Sequence, residues 1–421
     1  MYSKKFTTDI EKELEMLKQA GKFKVERELE GAQGAEVEIG GRKVLMFASN
    51  NYLGLSNHPE IAKSAREAID KYGFGLSSVR FISGTETIHK ILEKKLAEFL
   101  GVEDSILYST NFMANLGFFA TITNDNLGAE LPKNGSSAPT YVDAIYSDEL
   151  NHASIIDAFK LCKKENVTKR IYPHGDLATL TKMLEEDKKN PPAGGYRNKI
   201  IVTDGVFSME GYLADLPKIK ELAEKYEALL FVDDAHAVGV LGKTGAGTPE
   251  HFGLQGQIDV LSGTFGKALG GAVGGYIAGK KQIIELLRQK SRTYLFSNSV
   301  PPSVVVASIR ALDLLTDMPE LLNKVIGNAK YFRDEAKKLG FDVLDGIHPI
   351  VPVMLRDAKL TQEVSKKLLE KGLFVVGLWF PVVPEGTARL RFQISAAHTK
   401  EQINSALKIL EGVGREMSIL K

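Results

Sequence analysis

Lys199-Ile200-Ile201-Val202-Thr203, the segment Leu216 to Tyr226, and Ala228-Leu229-Leu230-Phe231-Val232 decide the fold. The first and last are short, unbroken apolar runs. Between them Leu216, Ile219, Leu222, Ala223 and Tyr226 fall at helical spacing. An unbroken apolar strand suits a sheet covered on both faces. Strand, helix, strand in that order predicts parallel strands joined by right-handed crossovers. Upstream, Ser105-Ile106-Leu107-Tyr108 and a helix over Asn111 to Ala120 repeat the unit; downstream, Ile258 to Leu261 adds a strand. The expected class is α/β, a mostly parallel sheet flanked by helices.

The last third has a different order. A helical pattern over Leu321 to Leu339 precedes Phe341 to Leu344 and Ile350 to Met354 as strands. A helix over Thr361 to Lys371 follows, then Phe374 to Val376 and Ala388 to Ile394, then a helix from Thr399. That order predicts a smaller α+β domain. The expected division is a segment 1–50 packing with the small domain, a large domain 51–299, and the small domain 300–421. Thr123 to Thr140 and Lys188 to Asn198 have loop composition.

Composition narrows the function. The chain has 421 residues, with 54 Lys+Arg against 53 Asp+Glu. A chain of this length buries roughly three-quarters of its unfolded surface and needs no metal or disulfide to hold a core. A near-neutral balance argues against a general nucleic-acid or membrane-surface binder. One cysteine, Cys162, excludes an intrachain disulfide and a thiolate-rich zinc site. No stretch approaches the ~18 consecutive apolar residues of a membrane span. The first 24 residues read as an amphipathic helix with Ile10, Leu14, Leu17 and Ala20 on one stripe, and carry no export signal. The expected location is the cytoplasm.

Ligands of an open parallel sheet bind beyond the carboxyl ends of its strands. After the first strand come Ser109, Thr110, Asn111 and Phe112, where a helix begins; free N–H groups there suit a phosphate. After the second come Asp204 and Ser208, and after the third Asp233, Asp234 and His236. After the fourth come Thr264, Gly266 and Lys267. Taken singly, each has an ordinary explanation: a solvated lysine, a turn or cap aspartate, a hydrogen-bonded histidine. Together they fit pyridoxal phosphate (PLP). Its aldehyde needs a lysine amine, its ring nitrogen a carboxylate, its phosphate hydroxyls and backbone amides. Lys267, Asp233, and Thr264 with the helix start at Asn111 supply these. Other motifs fail: Gly239 to Thr244 ends like a phosphate-binding loop, but the position five before Gly242 is Ala237. Ser208 lacks the flanking glycines of a nucleophile elbow.

Thr264-Phe265-Gly266-Lys267-Ala268 and Val232-Asp233-Asp234-Ala235-His236 resemble the PLP-dependent α-oxoamine synthases, of fold type I. Asn50 to Leu55, Asp148 to Ser154 and Asp204 to Met209 do too, and the resemblance runs from Ala48 to His398. Ser78 to Thr85, Arg292 to Ser299, Phe380 to Pro384 and Arg389 to Arg391 are most similar to members that join glycine to acetyl-CoA. Glu28 to Phe47 is also similar to bacterial members that use serine and palmitoyl-CoA.

The resemblance implies a role for each site residue. Lys267 forms the Schiff base and moves the substrate Cα proton. Asp233 pairs with the ring nitrogen, His236 bonds the ring hydroxyl, His152 stacks on the ring, and Ser208 lies beside it. Thr264, with the backbone at Asn111 and Phe112, holds the phosphate. Ser297 and Asn298 reach the phosphate in the partner subunit, implying a homodimer with shared sites. Arg391, with Asn50, binds the substrate carboxylate. A sibling using another amino acid or a longer acyl-CoA is the alternative. A non-catalytic subunit of this fold is less favoured, because such subunits typically lose the lysine. Three departures stand out: Asn111 where relatives usually carry Cys, Gly175 in place of Asn, and an apparent insertion at Thr123 to Thr140.

Overall fold

The computed structural model describes residues 2–19, 22–123, 142–162, 167–192 and 195–420. At its centre is a seven-stranded sheet. The strand order is Asp104–Tyr108, Gly275–Gly279, Val260–Thr264, Leu229–Asp233, Tyr196–Asp204, Val142–Asp148, Val167–Tyr172. Gly275–Gly279 runs antiparallel to both neighbours, and the other neighbouring pairs are parallel.

The unbroken apolar runs have the expected cause. Side chains alternate across a strand. Ile201 and Val232 enter a core cluster with Ile219 and Leu216 of the helix Leu216–Lys225. Ile200, Val202 and Phe231 enter another on the opposite side. There Phe231 packs against Phe118 and Phe119 of the helix Asn111–Ile122, ring centroids 4.8 and 4.9 Å apart. The strand predicted from Lys199 begins earlier, at Tyr196, inside the stretch read as a loop. Asp143 on the neighbouring strand explains this, accepting hydrogen bonds from Asn198 N and Nδ2 at 3.2 and 3.0 Å and from Arg197 Nε at 3.0 Å.

The second core gathers Phe332, Val353, Leu368, Phe392 and Leu410 around Phe47. The strands Ile350–Arg356, Ala388–Gln393 and Val376–Leu378 form an antiparallel sheet. Phe374 to Val376 is not one strand. Leu373–Phe374 pairs in parallel with Arg42–Met46, whereas Val376–Leu378 joins the other sheet. Val375 between them is buried, and its carbonyl accepts from Ser365 Oγ at 2.9 Å instead of a strand neighbour. The strand expected over Phe341 to Leu344 reduces to a single bridge between Val343 and Val353.

The helix Pro302–Asp317 puts Val305, Ala311, Leu312 and Leu315 into the large core. The next helix, Glu320–Lys338, puts Val325 into the large core and Ala329, Phe332 and Ala336 into the small one. The N-terminal helix Lys4–Gln19 forms but buries none of its residues, and Ile10 and Leu14 of its apolar stripe are exposed. Ala20 and the stretch 124–140 lie outside the described residues.

Candidate active site

Thr110 starts the helix Asn111–Ile122, its Oγ1 accepting from Met113 N at 3.1 Å. The amides of Asn111 and Phe112 have no intrahelical partner. Gly275, on the adjoining strand, leaves no room beneath them: a Cβ there would overlap Asn111 N. The anion-ready helix start is thus held against the sheet edge by a residue without a side chain.

Asp233 ends the strand Leu229–Asp233 and is buried. Its Oδ2 accepts from Asn111 Nδ2 at 3.0 Å and Asn115 Nδ2 at 2.7 Å, and its Oδ1 from Ala235 N at 3.0 Å. The next residue does a different job. Asp234 accepts from Thr248 N at 2.9 Å and from Thr248 Oγ1, and burial pushes its carboxyl up to about 7. Asp234 braces a turn, and Asp233 faces the site.

His152 heads the helix Ala153–Leu161. Asn151 places it by donating to Val202 O at 2.9 Å and accepting from Asp204 N at 2.8 Å. His152 N donates to Asp204 Oδ1 at 3.2 Å. Ser154 Oγ lies 2.7 Å from His152 Nδ1 and accepts from Asn115 Nδ2 at 2.8 Å. Burial holds the His152 imidazole below its ordinary pKa, with Asp233 opposing and Lys267 adding to the shift. Burial also drives Asp204 well above the carboxylate range, aided by Asp233.

Lys267 follows the strand Val260–Thr264. No hydrogen bond or ion pair engages its amine among the described residues. Burial lowers it to about 8, against the pull of Asp233 and Asp204. At pH 7 about a tenth of such amines are neutral, against a few in ten thousand for an ordinary lysine near 10.4. Trapping of PLP on Lys267 by borohydride should therefore rise with pH about a midpoint near 8. A midpoint at the ordinary lysine value would refute this reading.

His236 is buried, its Nδ1 3.0 Å from Tyr52 Oη. Burial, then the charge of Lys267, holds it well below its ordinary pKa, so the ring is neutral. Thr264 Oγ1 donates to Gly274 O at 3.0 Å and accepts from Gly266 N at 3.0 Å, which shapes the turn into Lys267. Ser208 O accepts from Arg391 Nη1 at 2.9 Å. Arg391 Nε is buried without a partner, and burial lowers the guanidinium pKa. Its strand neighbour Arg389 is instead paired with Glu210 at 2.9 Å. Asn50 Oδ1 accepts from Gln393 Nε2 and lies 3.4 Å from Tyr52 Oη.

Ser297 and Asn298 stand apart from this group. Ser109 Oγ lies 3.4 Å from Ser297 Oγ and donates to Asn298 O at 2.6 Å. Within one chain, no hydrogen bond joins them to Asp233 or Lys267 among the described residues. Sequence reasoning missed Asn115, Gln393 and His348. Asn115 had a signal, lying one helical turn from Asn111 on the same face. His348 and Gln393 had none. Beside Asn50 and Gly266 a cavity of about 1170 Å³ opens, with Lys24, Arg27, Lys366 and Trp379 in its walls.

A rim with a free lysine, a clamped aspartate and two neutral histidines above a mostly parallel sheet defines an enzyme of the PLP-dependent fold type I class. The buried donor left over at Arg391 Nε, and a Lys267 amine with no partner among the described residues, fit such a group and its substrate. The chain belongs to the aminotransferase class I and II family, which matches residues 42–410, and within it to the α-oxoamine synthases. It is 45% identical over 416 residues to 2-amino-3-ketobutyrate coenzyme A ligase of Escherichia coli K12, covering 99% of both chains. It is 44% identical over 411 residues to 8-amino-7-oxononanoate synthase of Thermoanaerobacter pseudethanolicus, covering 98% of both. A solved serine palmitoyltransferase with PLP as its internal aldimine superposes with TM-score 0.86 at 30% identity, over 98% of both chains. No helix among the described residues is long and apolar enough to cross a membrane.

Proposed function

We propose that the protein is a PLP-dependent glycine C-acetyltransferase. It joins glycine to acetyl-CoA, giving 2-amino-3-oxobutyrate and CoA: both glycine carbons stay in the product. The reverse, CoA-dependent cleavage, serves threonine breakdown. The observation that carries this reading is the pair of cations, Lys267 and Arg391, that have no carboxylate partner among the described residues. The charge of Arg391 is felt at Lys267. One cation is set to capture an aldehyde, the other to receive a carboxylate.

When bound, PLP supplies the electron sink that makes a glycine Cα proton removable. The chain's residues do the rest. Lys267 holds the aldehyde and, as a neutral amine, takes and returns the Cα proton. Asp233, held in place by three N–H donors, faces the ring nitrogen. His152 offers a neutral face to the ring, His236 reaches its hydroxyl, and Ser208 lies alongside. The amides of Asn111 and Phe112, with Thr264, take the phosphate. Ser297 and Asn298 complete that cup from the partner subunit of a homodimer. Arg391, with Asn50, grips the glycine carboxylate and fixes its orientation. The cavity walled by Lys24, Arg27 and Lys366 suits a CoA thioester, whose phosphates need cations.

We also propose three parts, 1–50, 51–299 and 300–421, with the first serving the small domain, where Phe47 N donates to Phe374 O at 2.8 Å. The cytoplasm is the proposed location; Cys162 is a buried free thiol, suited to a reducing compartment. Overall identity does not separate this chemistry from its sibling, since a ligase of the first kind and an 8-amino-7-oxononanoate synthase are each 45% identical to the chain. The test is CoA release by the PLP-loaded protein with glycine, alanine or serine, each with acetyl- or palmitoyl-CoA and, for alanine, pimeloyl-CoA. Release with glycine and acetyl-CoA is expected. Faster release with another pair would move the assignment to that sibling.

A further inference from the structure

Tyr52 is wholly buried behind His236. Its ring stands edge-on to His348, centroids 5.4 Å apart at 81°. His348 in turn accepts from Ile350 N on Nδ1 at 3.1 Å, so its Nε2 carries the proton donated to His236 O at 2.8 Å. The backbone of His236 is therefore fixed from below. The rotation and tautomer of its ring need another cause.

A phenol has one proton and two lone pairs. Gln393 Nε2 points an N–H at Tyr52 Oη from 3.5 Å, and Asn50 Oδ1, which also accepts from Gln393, lies 3.4 Å away. The nearest acceptor for the phenolic proton is His236 Nδ1, at 3.0 Å. Tyr52 makes the only hydrogen bond to the His236 ring among the described residues. A neutral imidazole carries one proton, and the bond at one nitrogen decides the state of the other. Burial raises the Tyr52 phenol to about 12, so it keeps its proton at working pH.

We propose that Tyr52 is the positioning residue of His236: its O–H donates to Nδ1 and leaves the proton on Nε2. Gln393 aims Tyr52. This rests on the proposed function for its purpose, because a ring-hydroxyl oxygen bound by His236 then meets a donor, not a lone pair.

The test uses protein labelled with 15N-histidine, read without PLP by two-bond nitrogen–proton correlation, with His236→Gln identifying the signals. The expected pattern is Nε2-protonated. In Tyr52→Phe, which keeps the ring, His236 should shift toward the Nδ1-protonated form or a mixture. In the loaded enzyme kcat should fall about tenfold, the worth of one buried hydrogen bond. Gln393→Leu should move the tautomer the same way, and serves if Tyr52→Phe does not fold. An Nδ1-protonated wild type, or variants that keep the Nε2 pattern, would overturn the inference. The spectrum needs no turnover, so a protein inactive with glycine and acetyl-CoA would sink the proposed function and leave this result readable.

Discussion

Lys267→Ala should abolish turnover and the visible absorbance of lysine-bound PLP together. Proton transfer by one positioned side chain is worth about 10²–10⁴-fold, and in the proposed function this residue also holds the cofactor aldehyde. The loss should not come from unfolding. The Lys267 amine has no partner to orphan among the described residues, and its removal relieves a burial that already lowers its pKa to about 8. The melting temperature should stay level or rise, while CoA release falls to background. Normal turnover by Lys267→Ala would refute the assignment of the site.

Arg391→Ala is the second large effect, and it should fall mainly on KM for the amino acid. The guanidinium donates to Ser208 O at 2.9 Å but leaves Nε buried and unpaired. Truncating one member of a buried, hydrogen-bonded charge pair costs about 2–5 kcal/mol, or roughly 30- to several-thousand-fold in binding. In the proposed function that pair forms only with substrate, so the free protein should lose little stability. Arg389→Ala makes the contrast. Its partner Glu210 would be left buried and alone, so unfolding should become easier. Steady-state kinetics at varied glycine, beside thermal melts, separates the two. An Arg391→Ala enzyme with unchanged KM would remove Arg391 from the substrate site.

Much of this was legible in the chain because it is written locally. Apolar runs such as Ile200 to Val202 report a strand covered twice, and Leu216, Ile219 and Ala223 report one helix face. The residue after each strand lies at the carboxyl edge of a parallel sheet, so Asp233, His236 and Lys267 could be placed on one rim without coordinates. Where reading failed, the deciding interaction came from elsewhere. The turn that splits Phe374 to Val376 depends on Ser365, and the early start at Tyr196 depends on Asp143.

By itself, then, the sequence determined the α/β order of elements, the rim residues and the family they resemble, since each is a matter of neighbours along the chain. Only the tertiary structure decided which groups are paired and which are left free. Asn115 meets Asp233 across 118 residues, Tyr52 meets His236 across 184, and among the described residues Arg389 has a carboxylate where Arg391 has none. Burial strips water from all of them, so a neutral histidine, a low lysine and an unpaired guanidinium are products of packing. Their chemistry follows from what the fold sets beside them.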